Sequence, residues 1–186
     1  MNLTTNKKKT MDLTKLIDIE IPVANKANVI HTHLIPSIRN LEPVKEFVRL
    51  VLNLNGPISK RELLLICGTC RRHGIKFIYK NFSYNFPKGK ADNLIIRRDT
   101  HSIVEDHAPF FLFTDDDVLI SKDWCKDLMI SLFYMLSCPS IGMVSIAYLT
   151  KKDAGLIYPI KPSNSIWTGG GVLFRNIEEW GDIVPK

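Results

Sequence analysis

With 186 residues, 45% of them hydrophobic, the chain can bury one good core, and a single domain is the default. A formal charge of +6 points to an anionic partner such as nucleotide phosphate, nucleic acid or an acidic membrane surface. No apolar run reaches the ~18 residues of a membrane-spanning helix, and four cysteines are too few for a disulfide framework at this length, so a reducing, cytoplasmic setting is expected.

The first 28 residues read as an N-terminal extension, partly mobile. Residues 1–10 are polar, include Lys7, Lys8 and Lys9, and lack the apolar core of a signal peptide. Residues 29–35 read as a strand ended by Pro36, and residues 42–48 as a short helix with Pro43 in its first turn. The alternating stretch 49–55 predicts a second strand, ended by the turn Asn55-Gly56-Pro57. Ser59-Lys60-Arg61-Glu62 is a capping box that opens a helix. Leu63, Leu64, Cys67 and Cys70 fall on one face of it, and Gly74 stands where a glycine cap belongs.

A third strand is expected over 75–79, then a turn-rich loop through Pro87 and Gly89, then a helix over 91–105. The run Phe110-Phe111-Leu112-Phe113 predicts a buried central strand. Residues 122–137 read as a helix that buries Trp124, Leu128, Leu132 and Met135, and 141–148 as a strand. Residues 165–174 read as a glycine-rich turn entering a strand, and a last helix begins at Ile177. Strand and helix alternate before the acidic turn, which favours an α/β domain with a mostly parallel sheet.

The triplet Asp115-Asp116-Asp117 directly follows the apolar strand. In open α/β sheets ligands bind at the carboxyl ends of strands. Three adjacent carboxylates repel one another, and a hard divalent cation with phosphate oxygens relieves that repulsion. Asp115 and Asp117 project to the same side of an extended segment, and Asp116 to the other. The bland alternative is an acidic loop capping the helix that starts near Ser121.

Other pairings carry less. Cys67-Gly68-Thr69-Cys70 has redox spacing, but the capping box places it inside a helix rather than at a helix start, where a thiol is activated. His31 and His33 with those cysteines have no second clustered pair to support zinc, and read as core or surface residues. The basic pairs are dispersed, as on solvated helix faces, and no nucleic-acid-binding signature accompanies them.

In order along the chain these features resemble a glycosyltransferase of the GT-A fold, in the family-2-like group. The residues that carry the resemblance are Ile35-Pro36, Asn55-Gly56 where the family has an acid before glycine, Gly89-Lys90-Ala91 with Arg97-Arg98, Asp115-Asp116-Asp117, and Gly169-Gly170-Gly171-Val172-Leu173-Phe174-Arg175. The resemblance implies a Rossmann-like three-layer sandwich with a mostly parallel central sheet. The domain would span 29–186, with a nucleotide-binding half over 29–118 and an acceptor half over 119–186.

It further implies transfer of a sugar from a UDP- or GDP-sugar to a hydroxyl of a glycan or glycoprotein, with inversion and with Mn²⁺ or Mg²⁺. Asp117 would be the direct metal ligand. Asp115 would hold the ribose or share the metal, and Asp116 ranks below both. Pro36, Ser37 and Arg39 would floor the nucleotide pocket, Asn55 would meet the base or ribose, and Lys90 and Arg98 would face the diphosphate. The acceptor base would be Asp182, with Asp153 the second choice. No nucleic acid is expected, and peripheral membrane contact is allowed. The rival readings are a metal-dependent nucleotidyltransferase of related layout and a basic nucleic-acid-binding module.

Overall fold

The computed structural model describes residues 16–24, 26–87, 106–146 and 171–175. Its centre is a six-stranded sheet in the order β3-β2-β1-β4-β6-β5. The strands are β1 (Ile17–Ala24), β2 (Val48–Asn55), β3 (Lys76–Asn81), β4 (Phe110–Phe113), β5 (Met143–Ile146) and β6 (Gly171–Arg175). The first four run parallel, and β6 is antiparallel to both β4 and β5. This is the α/β sheet expected from the sequence, with an antiparallel strand added near one edge.

The first strand lies where the sequence reading put an extension. Ile17–Ala24, inside residues 1–28, pairs with β2 on one side and β4 on the other. It alternates strictly: Ile17, Ile19, Ile21 and Val23 enter the core, while Asp18, Glu20, Pro22 and Ala24 take the other face. Two carboxylates in an eight-residue strand disguise it as polar sequence. β1 is an inner strand of the sheet.

The segment expected as the first strand is helical. Ala27–Val29, a π-helical turn Ile30–Leu34 and Ile35–Asn40 follow without a break, together α1 (27–40). Ile30, Leu34, Ile38 and Leu41 are all buried, and their spacing of four, four and three is that of one helix face. The β-branched run around His31 and His33 mimics a strand locally, yet packing against the sheet decides the outcome. Pro36 has no N–H to give, and the wide π turn just ahead of it accommodates that loss. The helix expected over 42–48 is a 3-10 turn, Glu42–Val44, and β2 starts at Val48.

Helix α2 (Lys60–His73) keeps its expected ends. The Ser59 hydroxyl accepts from Glu62 N–H at 3.2 Å, the Glu62 carboxylate accepts from Ser59 N–H at 3.2 Å, and Gly74 closes the helix with φ 68°. Its buried face is Ile66, Cys67, Thr69 and Cys70, while Leu64, expected inward, is 60% exposed. Helix α3 (Lys122–Ser137) buries Trp124, Leu128, Leu132 and Met135 as expected. Of the expected strand 141–148, residues Met143–Ile146 are β5, and the glycine-rich turn enters β6 at Gly171. The helices expected over 91–105 and from Ile177 lie outside the described residues. Among the described residues no helix is long and apolar enough to cross a membrane.

The sheet's two faces differ sharply. One joins Ile19, Ile21, Leu50, Leu52, Leu112 and Leu173 to Ile30, Leu34, Trp124 and Leu128 in a single core. The other carries Asp18 and Arg49, opposite each other in the β1–β2 register. Arg49 Nε and Nη2 donate to the two carboxylate oxygens of Asp18 at 2.8 and 2.9 Å, and Nη1 reaches Asp106 Oδ1 at 2.9 Å. Ala108 N–H donates to Asp18 Oδ2 at 2.8 Å, so the pair also ties down the approach to β4.

Glu20 is on that face and 1% exposed, and among the described residues its Oε2 has no hydrogen-bond partner. Burial pushes its carboxyl well above the ordinary range, the Asp18 charge adds to this, and Arg49 offsets part of it. The unfolded chain then gives up this proton at lower pH than the folded one. Its contribution to stability is full below the ordinary carboxylate pKa and is lost as pH rises toward the raised folded value. Glu20→Gln, with no proton to lose, is expected to be more stable than the parent by about 1 to 3 kcal/mol near pH 8, and by less near pH 5. Urea melts at the two pH values check this, and parallel profiles would refute a buried neutral Glu20.

Candidate active site

The site is built where β4 leaves the sheet. Phe110 and Leu112 point into the core, and the last ladder contact is Thr114 N–H donating to Glu20 O at 3.1 Å. The chain then turns, with Val118 N–H donating to Asp115 O at 3.3 Å. Asp115 and Asp116 are half-buried in this turn and Asp117 is exposed.

Asp116 faces β1. Its Oδ2 accepts from Ala24 N–H at 2.7 Å, across 92 residues of chain. Burial pushes its carboxyl up, the Ala24 N–H pulls it down, Asp117 and Asp115 push it up, and Lys26 pulls it down. Burial is the largest of these, and the carboxyl is held above its ordinary range.

The far side of the turn is clamped by α1. Ser37 Oγ–H donates to Val118 O at 3.2 Å, and the same oxygen accepts from Ile120 N–H at 2.8 Å. Asn40 Nδ2 donates to Ile120 O at 2.8 Å, and the Cys125 thiol donates to Asn40 O at 3.5 Å. Val118 and Ile120 are buried beside these bonds. The acidic turn is thus held on the β1 side by a part-buried hydrogen bond and on the α1 side by the buried Ser37 bonds and apolar plugs.

The structure brings some expected site residues together and separates others. Asn55 ends β2 in register with Ala24, so Asn55, Ala24 and Asp116 line the carboxyl edge of three neighbouring strands. The Asn55 side chain is used on backbone: Nδ2 donates to Phe86 O at 3.0 Å, and Phe86 N–H donates to Oδ1 at 2.7 Å. This double bond pins the loop after β3, where Phe82, Tyr84 and Phe86 cluster. Beside it Gly56 has φ 118°, and a Cβ there would stand 1.8 Å from Asn85 Oδ1, so the turn needs glycine.

Pro36, Ser37 and Arg39 are in the last turns of a helix and not at the end of a strand. At 1.5 Å per residue they lie about 15 Å along α1 from its start near Ala24. Ser37 is buried in the clamp and Arg39 is exposed. Lys90, Arg98, Asp153 and Asp182 lie outside the described residues. The residues that sequence reading missed are Ala24 and Lys26. A second Ile-Pro pair, Ile21-Pro22, flanked by an alternating apolar run, is the signal that marks them.

The thiols do not make a second chemical centre. Cys67 and Cys70 are on the buried face of α2. Burial pushes Cys67 up, and burial with the Cys67 neighbour takes Cys70 to about 12, so neither is poised as a thiolate. Among the described residues no three His, Cys, Asp or Glu side chains converge as a closed metal site. Magnesium and manganese seldom need one, since one or two carboxylates with phosphate oxygens and water suffice. The oxygen donors of Asp115 and Asp117 fit that chemistry.

Neither a protein-family model nor a curated protein sequence matches the chain. Solved structures do. The chain is similar to the mannosyltransferase PcManGT from Pyrobaculum calidifontis, solved in complex with GDP-Man and Mn²⁺. The TM-score is 0.57 and the identity 16%, over 90% of this chain and 48% of that one. It thus spans about half the length of that enzyme. Glucosyl-3-phosphoglycerate synthase from Mycobacterium tuberculosis, solved with UDP, matches at TM-score 0.49 and 12% identity, over 86% of this chain and 56% of that one. The fold of this chain is of the GT-A type, as the sequence resemblance implied.

The clamp generates a prediction that needs no ligand. Ser37→Ala removes a donor and an acceptor at once and leaves Val118 O and Ile120 N–H buried without a partner. It is expected to cost about 1 to 3 kcal/mol in chemical denaturation. An unchanged midpoint would show that the turn holds without Ser37.

Proposed function

We propose that this chain carries the donor-binding part of a metal-dependent glycosyltransferase, which moves a sugar from a UDP- or GDP-sugar to a hydroxyl of a glycan or glycoprotein. The observation that carries the reading is the position of Asp115, Asp116 and Asp117. They follow a buried strand at its carboxyl end, beside β1, in a fold shared with an enzyme solved with GDP-Man and Mn²⁺. A nucleic-acid module gives no reason for three acids on that edge, since they repel phosphate.

In this reading Asp117, the exposed member, and Asp115 hold the divalent ion, Mn²⁺ or Mg²⁺. When bound, such an ion neutralises charge on a departing diphosphate. The chain's own residues do the rest. The carboxyl edge of β1 and β2 seats the nucleoside, with Asn55 fixing the wall through Phe86. Lys90 and Arg98 add positive charge toward the diphosphate. Asp182, with Asp153 the alternative, takes the proton of the acceptor hydroxyl, and transfer proceeds with inversion.

Thermal melts test the donor half. GDP or UDP should raise the melting temperature with Mn²⁺ and fail to do so with EDTA. A ligand at 100 times its dissociation constant stabilises by about 2.7 kcal/mol. Asp117→Asn should lose the metal-dependent shift while its ligand-free stability stays within about 0.5 kcal/mol of the parent, since the site is exposed. Equal shifts in EDTA, or an unaltered response of Asp117→Asn, would sink the assignment, and stabilisation by duplex DNA alone would favour the rival reading.

A further inference from the structure

The hydrogen-bond pattern along one edge of β1 assigns a separate role to the middle acid. In a parallel ladder every second residue of a strand turns its N–H and C=O toward the same neighbour. On β1 the Glu20 carbonyl meets β4 through Thr114 N–H at 3.1 Å. The next position toward β4 is Pro22, which has no N–H to present. The one after it is Ala24, and by then β4 has turned away. Ala24 N–H is received at 2.7 Å by the Asp116 carboxylate instead of a strand carbonyl.

We infer that Asp116 is a positioning residue: it carries the β1–β4 attachment past Phe113, where β4 ends, to Ala24, and so fixes the acidic turn against the end of β1. This rests on the functional reading above, in which Asp115 and Asp117 hold the metal and the β1 edge seats the nucleoside. The contact couples those two halves, because a shift of the turn must break a charge-assisted bond to the β1 backbone. The Ser37 and Asn40 clamp holds the other end of the same segment, so the Asp116 bond is its attachment on the β1 side. Asp116 holds its neighbours in place and does not act as a ligand.

The role differs from metal ligation in what it asks of the side chain. An asparagine carbonyl oxygen accepts the same N–H, whereas an alanine does not. Binding of GDP and of UDP with Mn²⁺ should be measured for the wild type, Asp116→Asn and Asp116→Ala, with hydrogen exchange of the Ala24 amide as a second readout. Asp116→Ala should weaken nucleotide binding at least about tenfold and deprotect the Ala24 amide, while Asp116→Asn stays within about threefold of wild type on both. A purely structural role would lower the melting temperature and leave the affinity of the folded protein unmoved.

Wild-type affinity in Asp116→Ala overturns the inference, and so does an equal loss in Asp116→Asn, which would make the charge itself the requirement. If Asp116→Ala fails to fold, Asp116→Asn decides alone, retained binding supporting the role and lost binding overturning it. Absence of binding by the wild type would sink the functional reading. The Ala24 amide would still test the attachment: protection lost in the alanine variant and kept in the asparagine variant supports it, and unchanged protection in both overturns it.

Discussion

Two neighbouring parallel strands part company at the carboxyl edge of the sheet, and the site depends on that parting. β1 continues to Ala24 while β4 ends at Phe113 and turns at Asp115. The strand order 3-2-1-4 makes this the point where the sheet changes winding direction, which in open α/β sheets is where ligands bind. Parting two strands exposes backbone donors that the ladder would have used, and a buried orphan donor costs about 1 to 3 kcal/mol. The sequence meets this in two ways: Pro22 removes one donor outright, and Asp116 accepts from the next.

The same sheet manages charge by distance from that edge. At the amino end Asp18 is fully compensated, with both oxygens used by Arg49 and a third bond from Ala108 N–H. Breaking such a pair by removing Arg49 leaves a buried charge, which typically costs about 3 to 5 kcal/mol. Two residues on, Glu20 is buried without comparable help, and burial holds its carboxyl well above the ordinary range, which favours the neutral form. At the carboxyl end the acids are half-buried or exposed, where water or a cation can reach them. Fixed charge is therefore internal at one end and available at the other, and the covered face of β1 carries the transition.

Legibility from sequence followed how local the deciding interactions are. The capping box at Ser59, the glycine at 74 and the apolar spacing of α3 are satisfied within a few residues, and their helices were readable to the ends. β4 was readable because four consecutive apolar residues allow little else. β1 was not, because Asp18 is admissible in a central strand only through long-range partners, Arg49 31 residues away and Ala108 90, and Glu20 lacks even those. The misreading of α1 has the opposite cause. Its β-branched residues favour a strand locally, and the sheet beneath them overrides that preference. Pro36, Ser37 and Arg39 accordingly sit on a helix and not at a strand end.

Ser37 shows how a segment near the acidic turn can support it from behind. The sequence pointed to the neighbourhood of the acidic turn, and Ser37 does touch it, but from behind: one hydroxyl spans Val118 O and Ile120 N–H, inside the core. A hydroxyl is suited to this since it donates and accepts at one atom. The three acids divide in a comparable way. A tight turn cannot aim three successive carboxylates at one point, and mutual repulsion opposes it. Turning the middle one onto backbone lets its charge find a donor, while Asp117 stays exposed to solvent. The turn is consequently stiff where it meets protein and charged where it meets solvent, which is the combination a cation-dependent phosphate site requires.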